Sequence, residues 1–354
     1  MVAGDPADTL LAQRLASQLL SGTPADDTAG VADRLLAVQA QDQRAARLAI
    51  RVRSRVRSAT DVDHALTEDR SVVVTWLNRG TLQLVRADDY WWLHPLTTPQ
   101  LLTGNARRLA QEGVPPDDAE RGVAVIERSL TAEGPLSRPQ LRDRIAAAGV
   151  RTQGQALVHL LALASLRGII LRGPMIGREH GYALVRDWLG SPPPVLGTDR
   201  ALAELAARYL AGHGPAAERD LARWAGLPLG QARRGLAAIA SRLTDRDDGL
   251  AALAGRDDDR RLPPPRLLGA YDPLLLGWAP REPIAGPYGR LIASNGLIRP
   301  VALARGRAVG TWTQAGGKVA LKPFAPLSAP DAVALADDAA DLERFLTPAR
   351  QVGA

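Results

Sequence analysis

Val31-Ala32-Asp33-Arg34-Leu35-Leu36-Ala37-Val38-Gln39-Ala40-Gln41-Asp42-Gln43 is the stretch from which the rest of the chain is best read. Its first half predicts a helix. Asp27 and Thr28 offer side chains for an N-cap, and Val31, Leu35 and Val38 recur at i, i+4 and i+7 on one apolar stripe. Glutamines at alternate positions then break that period. On a continued helix Gln39 and Gln41 would point about 200° apart, whereas on an extended segment residues i and i+2 share a face. A helix that ends near Val38 therefore aims both carboxamides into one space. The alternative is a polar helix end that faces water.

Composition sets the bounds around this stretch. A chain of 354 residues, 46% of them hydrophobic, suffices for two or three domains. A net charge of +6 and a pI near 10.2 suit a polyanionic partner, without separating DNA from RNA or membrane headgroups. There is no cysteine, which excludes disulfides and thiolate metal sites. The histidines (His64, His94, His159, His180, His213) are scattered, so neither a catalytic metal nor any other cofactor is expected. Asp5 and Asp8 stand where a secretory leader is basic, and no run approaches roughly 20 apolar residues. An intracellular protein is expected.

Upstream, Asp8 or Thr9 caps a first helix with Leu11, Leu15 and Leu19 at four-residue steps. Downstream, Arg51-Val52-Arg53-Ser54-Arg55-Val56-Arg57 alternates strictly. Extended, its arginines share one face; as a helix, Arg47, Arg51 and Arg55 form a stripe. The cluster reads either as a solvated face or as phosphate contacts. Val72–Trp76 and Thr81–Val85, joined through Asn78-Arg79-Gly80, read as a β-hairpin, and helices followed by a hairpin outline a winged helix. Tyr90, Trp91 and Trp92 read mainly as packing.

Residues 118–190 and 199–262 look like two copies of one unit. Gly134-Pro135 with Leu141 recurs as Gly214-Pro215 with Leu221, an offset of eighty residues. The third helix of each copy, near Gln153–Leu166 and Leu229–Leu243, takes the recognition position of a winged helix. Wings are expected from Ile169-Ile170-Leu171 with Tyr182-Ala183-Leu184, and from Leu243 through Leu250–Leu253. In a tandem array some third helices must instead pack between units, so no base contacts are assigned. Pro192-Pro193-Pro194 and Pro263-Pro264-Pro265 read as stiff linkers. Asp257-Asp258-Asp259, between Arg256 and Arg260-Arg261, reads as a solvated loop. Then come a β-meander, with one hairpin turning at Arg305-Gly306-Arg307 and the next at Gly316-Gly317, and a final helix over about 329–346.

Several motifs resemble one family. Val38-Gln39-Ala40-Gln41-Asp42 followed by Ala45-Ala46-Arg47 is similar to the signature of the tandem winged-helix DNA glycosylases of the AlkZ/YcaQ type. Thr75-Trp76-Leu77-Asn78-Arg79-Gly80-Thr81-Leu82, Tyr271-Asp272-Pro273-Leu274-Leu275-Leu276-Gly277, and Arg299-Pro300-Val301 with Val309-Gly310-Thr311-Trp312 follow in family order. The resemblance implies an α+β fold of three tandem winged-helix units (residues 1–117, 118–191 and 195–265), then a C-terminal β-rich segment over 266–354. It also implies a C-shaped, concave DNA-binding architecture. It makes Gln39 and Gln41 the catalytic pair. Arg44, Arg47, Arg51, Arg53, Arg55, Arg79, Arg305 and Arg307 become candidate DNA contacts. Gln83 stands where many relatives carry His, which makes it a possible lesion contact and puts substrate preference in doubt. The expected partner is double-stranded DNA bearing alkylated bases, bound by a cytoplasmic, nucleoid-associated monomer with no membrane attachment. The Gln-Ala-Gln form suggests the AlkZ branch, often linked to antibiotic self-resistance.

The residue types fit one chemistry. Carboxamides carry no charge and make poor general bases, but they can hold a water against an anomeric carbon, which is catalysis by positioning. That suffices only where departure is already easy, as from a purine made cationic by N7- or N3-alkylation. The expected reaction is hydrolysis of such a purine's N-glycosidic bond, on bulky natural-product adducts or interstrand crosslinks as well. With no lysine convincingly beside the motif, no lyase step is expected. The competing reading is a non-catalytic winged-helix transcriptional regulator, which explains fold and charge but not the glutamines. A nuclease lacks the carboxylate or histidine cluster its metals need.

Overall fold

A computed structural model describes residues 6–255, 261–286, 291 and 297–347; the acidic run at 257–259 lies outside them. In chain order the elements are α1 (Pro6–Ser17), α2 (Thr28–Leu35), β1 (Val38–Gln39), α3 (Gln43–Arg51), α4 (Ala59–Thr67), β2 (Val72–Leu77) and β3 (Thr81–Arg86). Next come α5 (Ala87–Thr97), α6 (Leu102–Gln111), α7 (Pro116–Glu133), α8 (Arg138–Ala147), α9 (Ala156–Leu166), β4 (Ile170–Ile176), β5 (Glu179–Leu184) and α10 (Val185–Trp188). After these follow α11 (Thr198–His213), α12 (Glu218–Ala225), α13 (Leu229–Ala238), β6 (Arg266–Leu268), α14 (Pro273–Leu276) and α15 (Glu282–Ala285). The last are β7 (Val301–Ala304), β8 (Arg307–Ala315), β9 (Lys318–Pro323) and α16 (Ala329–Leu346). They form two compact units, residues 1–62 with 202–354, and residues 63–201.

The second unit is built on two hairpins. β2 and β3 pair from Val72↔Arg86 to Leu77↔Thr81, and Asn78 (φ 51°) and Gly80 (φ 79°) make the tight turn the sequence predicts. β4 and β5 pair at Ile170↔Leu184 and Leu171↔Ala183, the expected wing. The hairpins join edge to edge through β2 and β4 at Val74↔Arg172. Behind them, α9 packs against α6, α7, β2 and β4. Its Ala156, Leu157, Leu160, Leu161, Ala164 and Leu166 are all buried, and a helix apolar all round is an internal helix. The third helix of this repeat therefore serves as core, leaving only Val158 and His159 half-exposed.

The two stretches that share the Gly-Pro signature have like local structure. Two residues past each Gly-Pro start, Leu136 exchanges both backbone hydrogen bonds with Tyr182 (3.0 and 2.8 Å), and Ala216 does the same with Ala251 (3.0 and 2.8 Å). In each copy a long helix, a short helix and a third helix take the same order: α7, α8, α9 and α11, α12, α13. The second copy's wing is reduced to isolated bridges, Ala216↔Ala251 and Leu243↔Leu253. Its third helix, α13, buries Ala232 and Gly235 and exposes Arg233 and Arg234 on the other side.

The first unit adds an antiparallel sheet in the order β6-β7-β8-β9, covered by α16. The compact units do not follow the sequential segments expected for the first winged helix. Its hairpin is held by the first repeat copy's strands through Val74↔Arg172, while α3 is ion-paired to residues after 266, so residues before 62 cluster with the C-terminal sheet.

Candidate active site

The glutamine stretch lies past the end of the helix, extended at Val38–Gln39 and bent at Gln41. Asp27 caps α2, its carboxylate accepting from Gly30 N at 2.7 Å. The helix stops at Leu35, three residues before the expected end, because Leu36 adopts φ 64°, outside the range that continues a right-handed helix. β1 follows. Val38 and Ala40 are buried, Gln39 is half-buried, and Gln41, on the bend that follows the strand, is exposed, so burial alternates along the segment. Asp42 closes the segment. It is the N-cap of α3, and its Oδ1 accepts from Ala45 N at 3.1 Å. The carboxylate nearest the glutamines is thus committed to a helix end, where a negative charge is also favoured by the dipole.

The arginines divide into two kinds. Arg44, on the first turn of α3, is exposed and donates to Gln314 Oε1 on β8; Gln314 in turn donates to Gly317 O at 2.8 Å. Arg47 is half-exposed, and Arg55 is largely exposed, 3.2 Å from Asp26. Arg51 and Arg53, expected to meet phosphate, are internal. Arg51 pairs with Asp338 at 2.9 Å and Asp341 at 2.9 Å and donates to Leu267 O. Arg53 is wholly buried and bidentate to Asp272 at 2.6 and 2.9 Å, with further bonds to Ala49 O and Gln18 Oε1. Both are withdrawn from any DNA surface by partners that already neutralise them.

The turn at Arg305-Gly306-Arg307 is docked rather than projecting. A Cβ at Gly306 (φ 75°) would lie 2.5 Å from Leu15 Cδ1, so only glycine lets the turn close on α1. Arg307 is half-exposed and is held by Asp8 (2.8 Å) and Pro283 O (2.6 Å). Arg305 remains largely exposed, 3.7 Å from Asp331. The next turn is the open one: Gly316 and Gly317 have nothing within 4 Å of where a Cβ would stand. The sequence's two lysines, Lys318 and Lys322, lie on its β9 strand, and Lys318 pairs with Glu343 at 2.8 Å.

In the second unit, Arg79 is exposed at the tip of the β2–β3 hairpin. Gln83 is 4% exposed and its amide donates to Thr81 Oγ1 at 2.7 Å. It is an internal strand residue bonded to its own strand. Gln314 carries no signal of its own in the sequence, and its place beside the site shows only through Arg44. Asp272 does carry one, as a lone acid in an apolar run beside Pro273, but its partner Arg53 lies far away in the chain.

Comparison with known proteins bears on what this site does. The sequence model of the family described as DNA glycosylase AlkZ-like matches residues 32–345. An interstrand DNA cross-link repair glycosylase of Streptomyces sahachiroi is 28% identical over 347 residues, covering 89% of this chain and 90% of the relative. The solved structure of the Streptomyces sahachiroi DNA glycosylase AlkZ matches with a TM-score of 0.78 at 25% identity, over 97% of this chain and 98% of that one.

Proposed function

Since the chain belongs to the AlkZ-like DNA glycosylase family, we propose that it hydrolyses the N-glycosidic bond of cationic N7- or N3-alkylated purines in double-stranded DNA, with Gln39 and Gln41 holding the attacking water. One observation carries this reading: the buried Val38 and Ala40 alternate with the half-buried Gln39 and the exposed Gln41, on a segment followed by the Asp42-capped helix. An amide oxygen accepts from the water while an amide N–H orients it, so the pair sets the water's position without taking its proton. The C1′–N bond breaks with its electron pair passing to the alkylpurine, which leaves neutral. Water oxygen bonds to C1′, and the spare proton is released to solvent. The product is an abasic site.

Arg44, Arg47, Arg55, Arg79 and Arg305 are exposed or half-exposed guanidiniums proposed to meet phosphates. The open β8–β9 turn, rather than the docked turn at Gly306, is the hairpin proposed to enter a groove. The Streptomyces relative is named for interstrand cross-link repair. A crosslinked alkylpurine carries the same positive charge, and its tether opposes full extrusion, so approach from a groove extends the proposal to crosslinks. We place the enzyme in the cytoplasm as a monomer; among the described residues no helix is long and apolar enough to cross a membrane.

The test is release of 7-methylguanine from a methylated duplex by wild type and by the Gln39→Ala, Gln41→Ala double variant, beside a binding assay. Loss of a positioned water should slow release by about a hundred-fold or more while binding persists. Release by the double variant at the wild-type rate would refute the assignment. With both lysines on β9, borohydride should trap no covalent enzyme–DNA adduct.

A further inference from the structure

Tyr271 has φ 55°, in the left-handed region that a bulky side chain rarely enters, yet the residue is only half-buried. The residues on either side hold the strained backbone. Before it, Gly269 lies against the first turns of α3: a Cβ there would stand 3.1 Å from Ala45 O and 3.3 Å from Leu48 Cβ. After it, Asp272 is wholly buried, bidentate to Arg53 just past the end of α3, and it also caps α14 by accepting from Leu274 N at 2.9 Å. Arg53 is itself locked by Ala49 O and Gln18 Oε1. The short segment carrying Tyr271 is thus pinned along α3 at both ends. Ala45, its near contact, is the residue whose N–H the Asp42 cap holds, four positions after Gln41.

Backbone strain maintained by surroundings this rigid, at an aromatic residue left partly accessible, is the pattern expected of a residue kept for contact with a ligand. We infer that Tyr271 is a specificity-determining residue of the glycosylase, its electron-rich ring stacking on the positively charged alkylpurine. The chemistry suits the substrate: a cation over a phenol face gains electrostatic as well as dispersion energy, and a neutral purine gains less. Arg53, Asp272 and Gln18 are positioning residues that hold the ring's backbone in place. This rests on the glycosylase reading above.

The experiment compares wild type, Tyr271→Phe, Tyr271→Leu and Tyr271→Gly. Binding is measured on two duplexes, one unmodified and one carrying a 7-methylguanine that a 2′-fluorine protects from cleavage, and 7-methylguanine release is measured alongside. Tyr271→Phe should keep the preference for the lesion. Tyr271→Leu should lose it by on the order of ten-fold, with binding to unmodified duplex unchanged. Tyr271→Gly relieves the strained φ, so it should melt no lower than wild type while losing the same preference. A merely structural tyrosine gives the opposite result: Tyr271→Leu with wild-type preference, or Tyr271→Gly melting well below wild type. If wild type releases no base at all, the glycosylase reading falls and this inference with it; if it releases base and Tyr271→Leu discriminates as well as wild type, the inference alone falls.

Discussion

Asp42 illustrates how narrowly charge can be assigned at the level of one residue. It stands next to Gln41, where a carboxylate could be taken for the general base, but its oxygen is on Ala45 N and its work is to start α3. Removing that cap in Asp42→Ala should cost about 1 kcal/mol and blur the turn that aims Gln41. Asp42→Asn, which still accepts from Ala45 N, should keep both stability and base release. Melting curves and release rates on the two variants decide it; an inactive but stable Asp42→Asn would mean that the charge itself is needed. A second residue-scale test follows from the carboxamides. Because neither Gln39 nor Gln41 titrates, release of an already cationic base should be level across neutral pH. Gln41→Asp should introduce a fall in rate as pH drops towards an ordinary aspartate pKa of about 4.

α3 and its trailing loop show why an element can be read correctly and still misassigned. The alternation of arginines from 51 to 57 is plain in the sequence, and so is the turn that separates the helix from the glutamines. What decides their roles is not local. Arg53 meets an aspartate 219 residues later and Arg51 one 287 residues later, and no periodicity announces such partners. The consequence is a separation of phenotypes. Arg53→Met leaves Asp272 buried and unpaired and should destabilise the protein by about 3–5 kcal/mol. Arg44→Ala and Arg55→Ala should leave stability within about 0.5 kcal/mol of wild type, yet each should reduce the slope of log binding constant against log salt by about 0.9. Denaturant melts and salt titrations of duplex binding separate the two classes. An Arg53 variant of normal stability that binds DNA with a reduced salt slope would return that residue to the DNA surface.

At the scale of the molecule, the eighty-residue repeat was legible because the Gly-Pro starts and the leucines after them are local signals. The partition into units was not, because Val74↔Arg172 and the α3 ion pairs join segments about a hundred residues or more apart. Nor was the different fate of the two third helices; α9 is internal by virtue of a mostly apolar surface whose surroundings only the fold supplies. The first unit also contains a fully buried histidine, His213. His213 stacks on Tyr209 (4.8 Å), sits against Trp224 and Trp278, and bonds through Nδ1 to Tyr209 O. Burial, with the nearby Arg53 guanidinium adding repulsion, pushes its pKa down to about 3, and burial lowers His94 in the second unit likewise. The native protein therefore refuses a proton that the unfolded chain takes up once pH falls below the ordinary histidine value of 6.5. Between that value and about 3 the unfolded state binds more protons, so stability should decline as pH falls, with a slope of up to about 1.4 kcal/mol per pH unit from His213 alone. Carboxylates held low by arginines, such as Glu120 by Arg167, act in the same direction only around and below their ordinary value of 4.5. The interval from pH 6.5 to 5 is therefore diagnostic of the histidines. Urea melts across it should show stability dropping with acid in wild type and staying nearly level in a His213→Phe, His94→Phe variant. A level wild-type profile would mean that the ring in this aromatic cluster accepts its proton while the protein remains folded.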